Sequence, residues 1–164
     1  MARWPKNADD PARSVLDLLD AHTVMSLATV SDGRPHAVSL MYANDGYTLY
    51  WLSDPRSRHS VALRQSAEST VTVSRQFADF REIIGVQATG TAHEIADDAE
   101  AKAGLRMLAE RYEFLEQFTS GPRSLVRRLD LAAVYRFDPV EVTLIDNSKG
   151  FGHKETFRPI WTKR

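Results

Sequence analysis

The run Thr23–Leu52, TVMSLATVSDGRPHAVSLMYANDGYTLYWL, decides the fold. Three segments rich in branched and aromatic residues, TVMSLATV, HAVSLMYA and YTLYWL, are separated by SDGRP and NDG. Branched and aromatic residues favour strands, and each short break holds a glycine that can take positive φ at little cost. The pattern predicts an antiparallel meander of three strands joined by two tight turns.

Reading outward, DDPARSVLDLLDAH precedes this run. Asp10 is a suitable cap, Pro11 suits the first helical position, and Val15, Leu18, Leu19 and His22 recur at helical spacing. After the run, SRHSVALRQ reads as a short helix and STVTVS as a strand. RQFADFRE is a polar and aromatic excursion before the long strand IIGVQATGTAHEI. The glycines of that strand, Gly85 and Gly90, suggest a bulge or a close approach. DDAEAKAGLRMLAERYEFLEQF is the strongest helix, capped by Asp97 or Asp98, with Leu105, Leu108, Tyr112 and Leu115 in line and GPR at Gly121–Arg123 ending the pattern. LDLAAVYRFDP and VEVTLIDN read as two strands divided by Pro139, followed by the basic and aromatic tail SKGFGHKETFRPIWTKR.

The sum is about seven strands, mostly joined by short links. A parallel sheet would need helical crossovers throughout, and they are missing. The expectation is a mainly β protein, a small closed or partly closed antiparallel barrel with peripheral helices, in one domain over residues 1–164.

Composition narrows the function. Of 164 residues, 43% are hydrophobic, enough to bury a core. Lys and Arg number 21 against 22 Asp and Glu, for a formal charge of −1. That balance argues against nucleic acid as a partner of the whole surface. With no cysteine, disulfides, thiolate metal sites and cysteine catalysis are excluded, and a reducing cytoplasm is the expected location. No apolar run approaches the ~20 residues of a membrane span.

The stretch Ser53–Leu63, SDPRSRHSVAL, gathers Arg56, Arg58, His59 and two further serines, Ser57 and Ser60, where a strand ends and a helix begins. Ser57 is placed to cap the helix, whose free amides suit an anion. Arg58 offers a fork of donors and His59 another. The residues alone leave two readings open, an anion site or a solvated link. His36 and Ser39 lie three positions apart in the second strand, so alternation puts them on opposite faces. The five histidines are scattered, without metal-ligand spacing. The chain has no G-x-S-x-G elbow, no P-loop and no G-x-G-x-x-G fingerprint.

The ordered set LATVSDGRPHAVSLMYANDGYTLYWLSDPRSRHSVAL, GVQATGTAHEI and VYRFDPVEVTLIDN resembles the FMN-binding split barrels related to pyridoxamine 5'-phosphate oxidase. The last two stretches, with IDNSKGFGHK, look closer to a small branch of that superfamily than to the oxidase itself. The resemblance implies a Greek-key split β-barrel, a homodimer, and FMN in clefts at the dimer interface. It puts the family's phosphate clamp on Ser57, Arg58 and His59, with His59 standing where a lysine is usual. Leu52 and Ser53 fall where the strand end meets the flavin and its phosphate. The strand from His36 to Met41, with His36 and Ser39, is implied at the isoalloxazine ring, as is Gln87.

The implied function is that of an FMN-dependent oxidoreductase. It would act on a small-molecule substrate, with NADH or NADPH as a source of electrons. The same barrel also serves deazaflavin enzymes, haem-binding or haem-degrading proteins, and non-catalytic flavin-binding or structural dimers. No residue stands out as a general acid or base.

Overall fold

The computed structural model describes residues 10–115 and 132–160. The GPR break, the end of the strongest helix pattern beyond Leu115 and the last four residues lie outside the described residues.

The first hairpin forms as its sequence demands. β1 (Val24–Ser31) pairs antiparallel with β2 (Arg34–Met41) from Val24↔Met41 to Ser31↔Arg34. The turn is Asp32–Gly33, with φ of 51° and 69°, so both central residues are left-handed. That geometry matches the twist of the flanking strands and explains the Asp-Gly pair. Met25, Leu27 and Thr29 of β1 are buried, and Ser26, Ala28 and Val30 between them face outward.

The meander, however, does not continue. The segment read as one strand, HAVSLMYA, divides at Tyr42 into β2 and β3 (Ala43–Asp45). A second hairpin, turning at Gly46, pairs β3 with β4 (Thr48–Ser53). The strand order is β2-β1-β5-β6-β7-β4-β3, so two strands adjacent in the chain stand at opposite ends of one sheet. The sheet therefore curls into a split barrel whose ends are joined through Tyr42.

The physical reason lies at that residue. Tyr42 and Ala43 are both buried, so the alternation slips there. The Tyr42 N–H donates to the Thr23 carbonyl at 3.2 Å, and its own carbonyl accepts from the Tyr112 hydroxyl at 2.6 Å. The Tyr42 hydroxyl donates to the Leu19 carbonyl at 2.8 Å. The backbone groups freed from the ladder are thus satisfied by partners outside it.

β5 (Glu68–Ser74) and β6 (Ile84–Glu94) continue the sheet. The expected pair of strands about Pro139 is instead one strand, β7 (Ala133–Asp146). The ladder between β6 and β7 shifts register between Thr89 and Gly90, with Gly90 opposite Pro139 and Glu141 opposite Thr89. Proline lacks a donor, and an irregular position in the ladder accommodates it. Gly90 makes the crossing possible, because a Cβ there would lie 2.1 Å from the Asp138 carbonyl oxygen. Part of the tail is also a strand, β8 (Lys154–Phe157), paired with β7. Among the described residues the sheet has eight strands.

The helices close the barrel. α1 (Pro11–Ala21) is capped by Asp10, which accepts from the amides of Ala12 and Arg13. Its Val15, Leu18 and Leu19 join a core built around Trp51, Tyr135, Phe137, Met25 and Leu27. α2 (Arg58–Gln65) packs over β1, β2 and β6. α3 (Asp98–Arg111), capped by Asp97, lies on β3, β4 and β7. Leu108, Tyr112 and Leu115 pack with Ala43, as their spacing predicts, and Leu105 meets Tyr50 and Val134.

Candidate anion site at the start of α2

β4 ends at Ser53, and the chain turns through Asp54, Pro55 and Arg56 before Ser57 caps α2. Asp54 accepts from the Arg56 backbone N–H and from its guanidinium. These bonds hold the Asp54 carboxyl down at about 2. Arg56 is therefore neutralised locally. Arg58, the first residue of α2, is exposed and has no ion pair among the described residues. The first amides of a helix lack internal acceptors, so those of Arg58 and His59 face the same space as this cation.

A dense hydroxyl cluster surrounds the cap of α2. The His59 Nε2 is 2.6 Å from Ser53 Oγ and 3.1 Å from Ser57 Oγ, and the two serine oxygens are 3.3 Å apart. Ser57 Oγ accepts from the Ser60 amide at 3.4 Å as the helix cap and donates to Ser60 Oγ at 2.8 Å. His59 is buried and Ser60 fully so. Burial pushes the His59 imidazole below its ordinary value, and the nearby His36 adds to the effect. A histidine in that state is neutral near pH 7.

The network runs further than the sequence indicates. The Tyr135 hydroxyl donates to Glu94 Oε2 at 3.0 Å; burial raises it above its ordinary pKa, and the nearby Ser60 side chain acts in the opposite direction. Tyr135 stacks on Trp51, with ring centroids 5.5 Å apart. Ser60, Tyr135 and Glu94 were not among the expected site residues. Ser60 lies three residues past a helix cap, which signals its position, but nothing in the sequence joins Tyr135 to it.

The structure sorts the expected residues into three groups. Ser53, Ser57, Arg58 and His59 come together, and His36, half-buried on β2, faces this group closely enough to act on His59. Ser39 and Gln87 lie on the opposite, outer face of the sheet. They belong to one row of directly paired residues, Ser39, Ser26, Thr72, Gln87, Thr143 and Thr156. Leu52 packs under α3 with Tyr50 and Met107. The alternation expected between His36 and Ser39 is present.

The family profile described as pyridoxamine 5'-phosphate oxidase matches residues 11–145. The chain belongs to that family.

A UPF0306 protein of Klebsiella pneumoniae is 30% identical over 118 residues, covering 72% of this chain and 71% of that protein. General stress protein 26 of Bacillus subtilis is 48% identical over 44 residues, a match spanning 27% of this chain and only 31% of the relative. Among solved structures, an FAD-binding protein from Mesorhizobium loti superposes with a TM-score of 0.60 at 24% identity, covering 80% of this chain and 91% of its own. At that identity the likeness shows the split-barrel fold. Among the described residues, no helix is long and apolar enough to cross a membrane, and no group of three or more His, Asp or Glu is arranged to hold a metal ion.

Proposed function

We propose that this chain binds FMN, with the cofactor's phosphate at the start of α2, and works as a flavin-dependent oxidoreductase on a small molecule. The observation that carries the reading is the exposed Arg58, without an ion pair among the described residues, beside the first amides of α2 and the Ser53–Ser57–His59 cluster. This donor set fits a phosphate monoester: one permanent cation, two amides and nearby hydroxyls. The family likeness and the FAD-binding relative of the same fold support a flavin as its bearer. When bound, the flavin supplies the electron chemistry, and the protein supplies position and charge.

The reading includes a homodimer. Ser39 and Gln87 face away from Arg58 within one chain, so a second copy is needed to bring them beside a shared cofactor. The outer row and its neighbours Ala37, Ala28, Thr70 and Thr89 carry no charge and are flanked by exposed Val24, Met41 and Val30, while Glu68, Glu141 and Lys154 stand further out on the same face. A flat surface with an uncharged centre and apolar and charged margins suits a two-fold contact with itself.

Spectroscopy of the purified protein and a titration of apoprotein with FMN test the reading. The expected result is a flavin spectrum and binding well below about 100 μM, roughly −5.5 kcal/mol. No spectrum and no binding would overturn it. A Soret band on adding haem, in place of flavin binding, would assign the barrel to haem.

A further inference from the structure

We infer that two copies of this chain meet along the outer row itself, their strands running in opposite directions, with Val24 and Met41 of each copy seated beside Ala28 and Ala37 of the other. The inference rests on the homodimer proposed above and deepens it by naming the contact.

Four strands carry the pattern. The row passes through Ser39, Ser26, Thr72 and Gln87, and on each strand the outward residues two places away flank it on either side. On one side Val24 and Met41 are directly paired and stand 45% and 43% exposed, a raised apolar pair. On the other side the directly paired residues are Ala28 and Ala37, which are small. An open groove runs there, lined by Ala28, Val30, Pro35, Thr70, Thr89 and Val140. On β5 and β6 the sizes reverse, with Thr70 and Thr89 on the groove side and Ser74 and Gly85 on the other. Each of the four strands therefore carries a larger residue on one side of the row and a smaller one on the other.

A two-fold axis lying along the row exchanges its two sides and leaves each strand over its own copy. Met41 then meets the partner's Ala37, Val24 the partner's Ala28, Thr70 the partner's Ser74 and Thr89 the partner's Gly85. Larger faces smaller at every position, as close packing requires. Charge favours the same axis. Of the outward charges flanking the row, Glu68 and Glu141 lie on the groove side and Lys154 on the raised side. Arg158, just past β8, stands on the groove side and leaves it acidic on balance. The exchange sets this acidic side over the partner's Lys154, so opposite potentials meet. An axis parallel to the strands keeps each side over the same side of the partner. Groove would then cover groove and leave a void, and Glu68 and Glu141 would face the partner's acidic side.

Sedimentation of the full chain over a range of concentrations reads the dimer constant. Ala37 and Met41 are four residues apart on one strand, about 13 Å, too far to touch within a chain. Ala37→Met should weaken the dimer about ten- to a hundredfold, because both symmetric contacts become overpacked. Met41→Ala should weaken it about tenfold through lost apolar burial. The double variant, which exchanges the two sizes, should return to within about threefold of the parent. Only a contact across the two-fold couples these residues. Independent losses, or none, overturn the inference and leave the dimer reading intact. A chain that stays monomeric at every concentration takes away both. A second measurement changes size less and exploits the absence of cysteine from the chain. Ala37→Cys mixed with Met41→Cys should cross-link through a short bismaleimide better than either protein alone. Cross-linking strongest within Met41→Cys alone would set the raised pair against itself and overturn the inference.

Discussion

Two hydroxyl-rich regions of this molecule use the same residue types to opposite ends. Beside α2, Ser53, Ser57 and Ser60 are packed inward, hydrogen bonds link them to one another or to His59, and the Tyr135 hydroxyl lies next to Ser60. On the outer face, Ser39, Ser26, Thr72, Gln87, Thr143 and Thr156 align across the sheet, where Thr143 and Thr156 share a bond at 2.8 Å. Burial makes the difference. A buried hydroxyl without a partner is costly, so the inner group forms a directed network. An exposed hydroxyl bonds water at no cost, so the outer group stays a smooth, neutral surface. The inner region stands beside one cation, Arg58, and the outer row is uncharged along its length, with Glu68, Glu141 and Lys154 to its sides.

The most severe way to break this contrast is to put charge where there is none. Thr72 sits near the middle of the outer row and is exposed. In a two-fold contact any substitution appears twice, and like charges brought together cost several kcal/mol. Thr72→Asp is expected to weaken the dimer by at least about a hundredfold, roughly 2.7 kcal/mol, in sedimentation at low concentration. The monomer's fold should be unchanged by circular dichroism. A dimer of undiminished strength would remove the outer face from the interface.

Next in size is the cation above the inner network. Arg58→Ala should weaken FMN by roughly 1.5–3 kcal/mol, about ten- to a hundredfold, because a charge-assisted bond to phosphate is lost. Riboflavin lacks the phosphate and should bind both proteins alike. An equal loss for riboflavin would mean that Arg58 supports the site without touching the phosphate.

What could be read from the chain follows the same divide between local and distant. The Asp32–Gly33 turn, the caps Asp10, Ser57 and Asp97 and the close approach at Gly90 are all set by neighbours in sequence or by the demands of one backbone position. The Ser53–His59 cluster was legible for that reason, since it spans seven consecutive residues. The division at Tyr42 was hidden, because SLMYA keeps a strand-like composition across the corner and the decisive partners, Leu19, Thr23 and Tyr112, come from elsewhere. Pro139 suggested a break that Gly90, on another strand, makes unnecessary. β8 was missed because its four residues follow a turn rich in glycine and carry only one large apolar side chain, Phe157, to the core. The pair Glu94 and Tyr135 stands 41 residues apart and meets only through the register of β6 and β7.

That distant pair offers the mildest test of the comparison. Tyr135→Phe keeps the ring stacked on Trp51 and removes one oxygen from the inner network. Glu94 is exposed, so water replaces its lost bond. Ser60 is fully buried and loses a polar neighbour with no water to replace it. The expected cost is therefore about 1–2 kcal/mol in denaturant unfolding, the range for a buried group left unpaired. If the variant is as stable as the parent, the inner hydroxyls do not act as a network. The contrast with the outer row would then rest on burial alone.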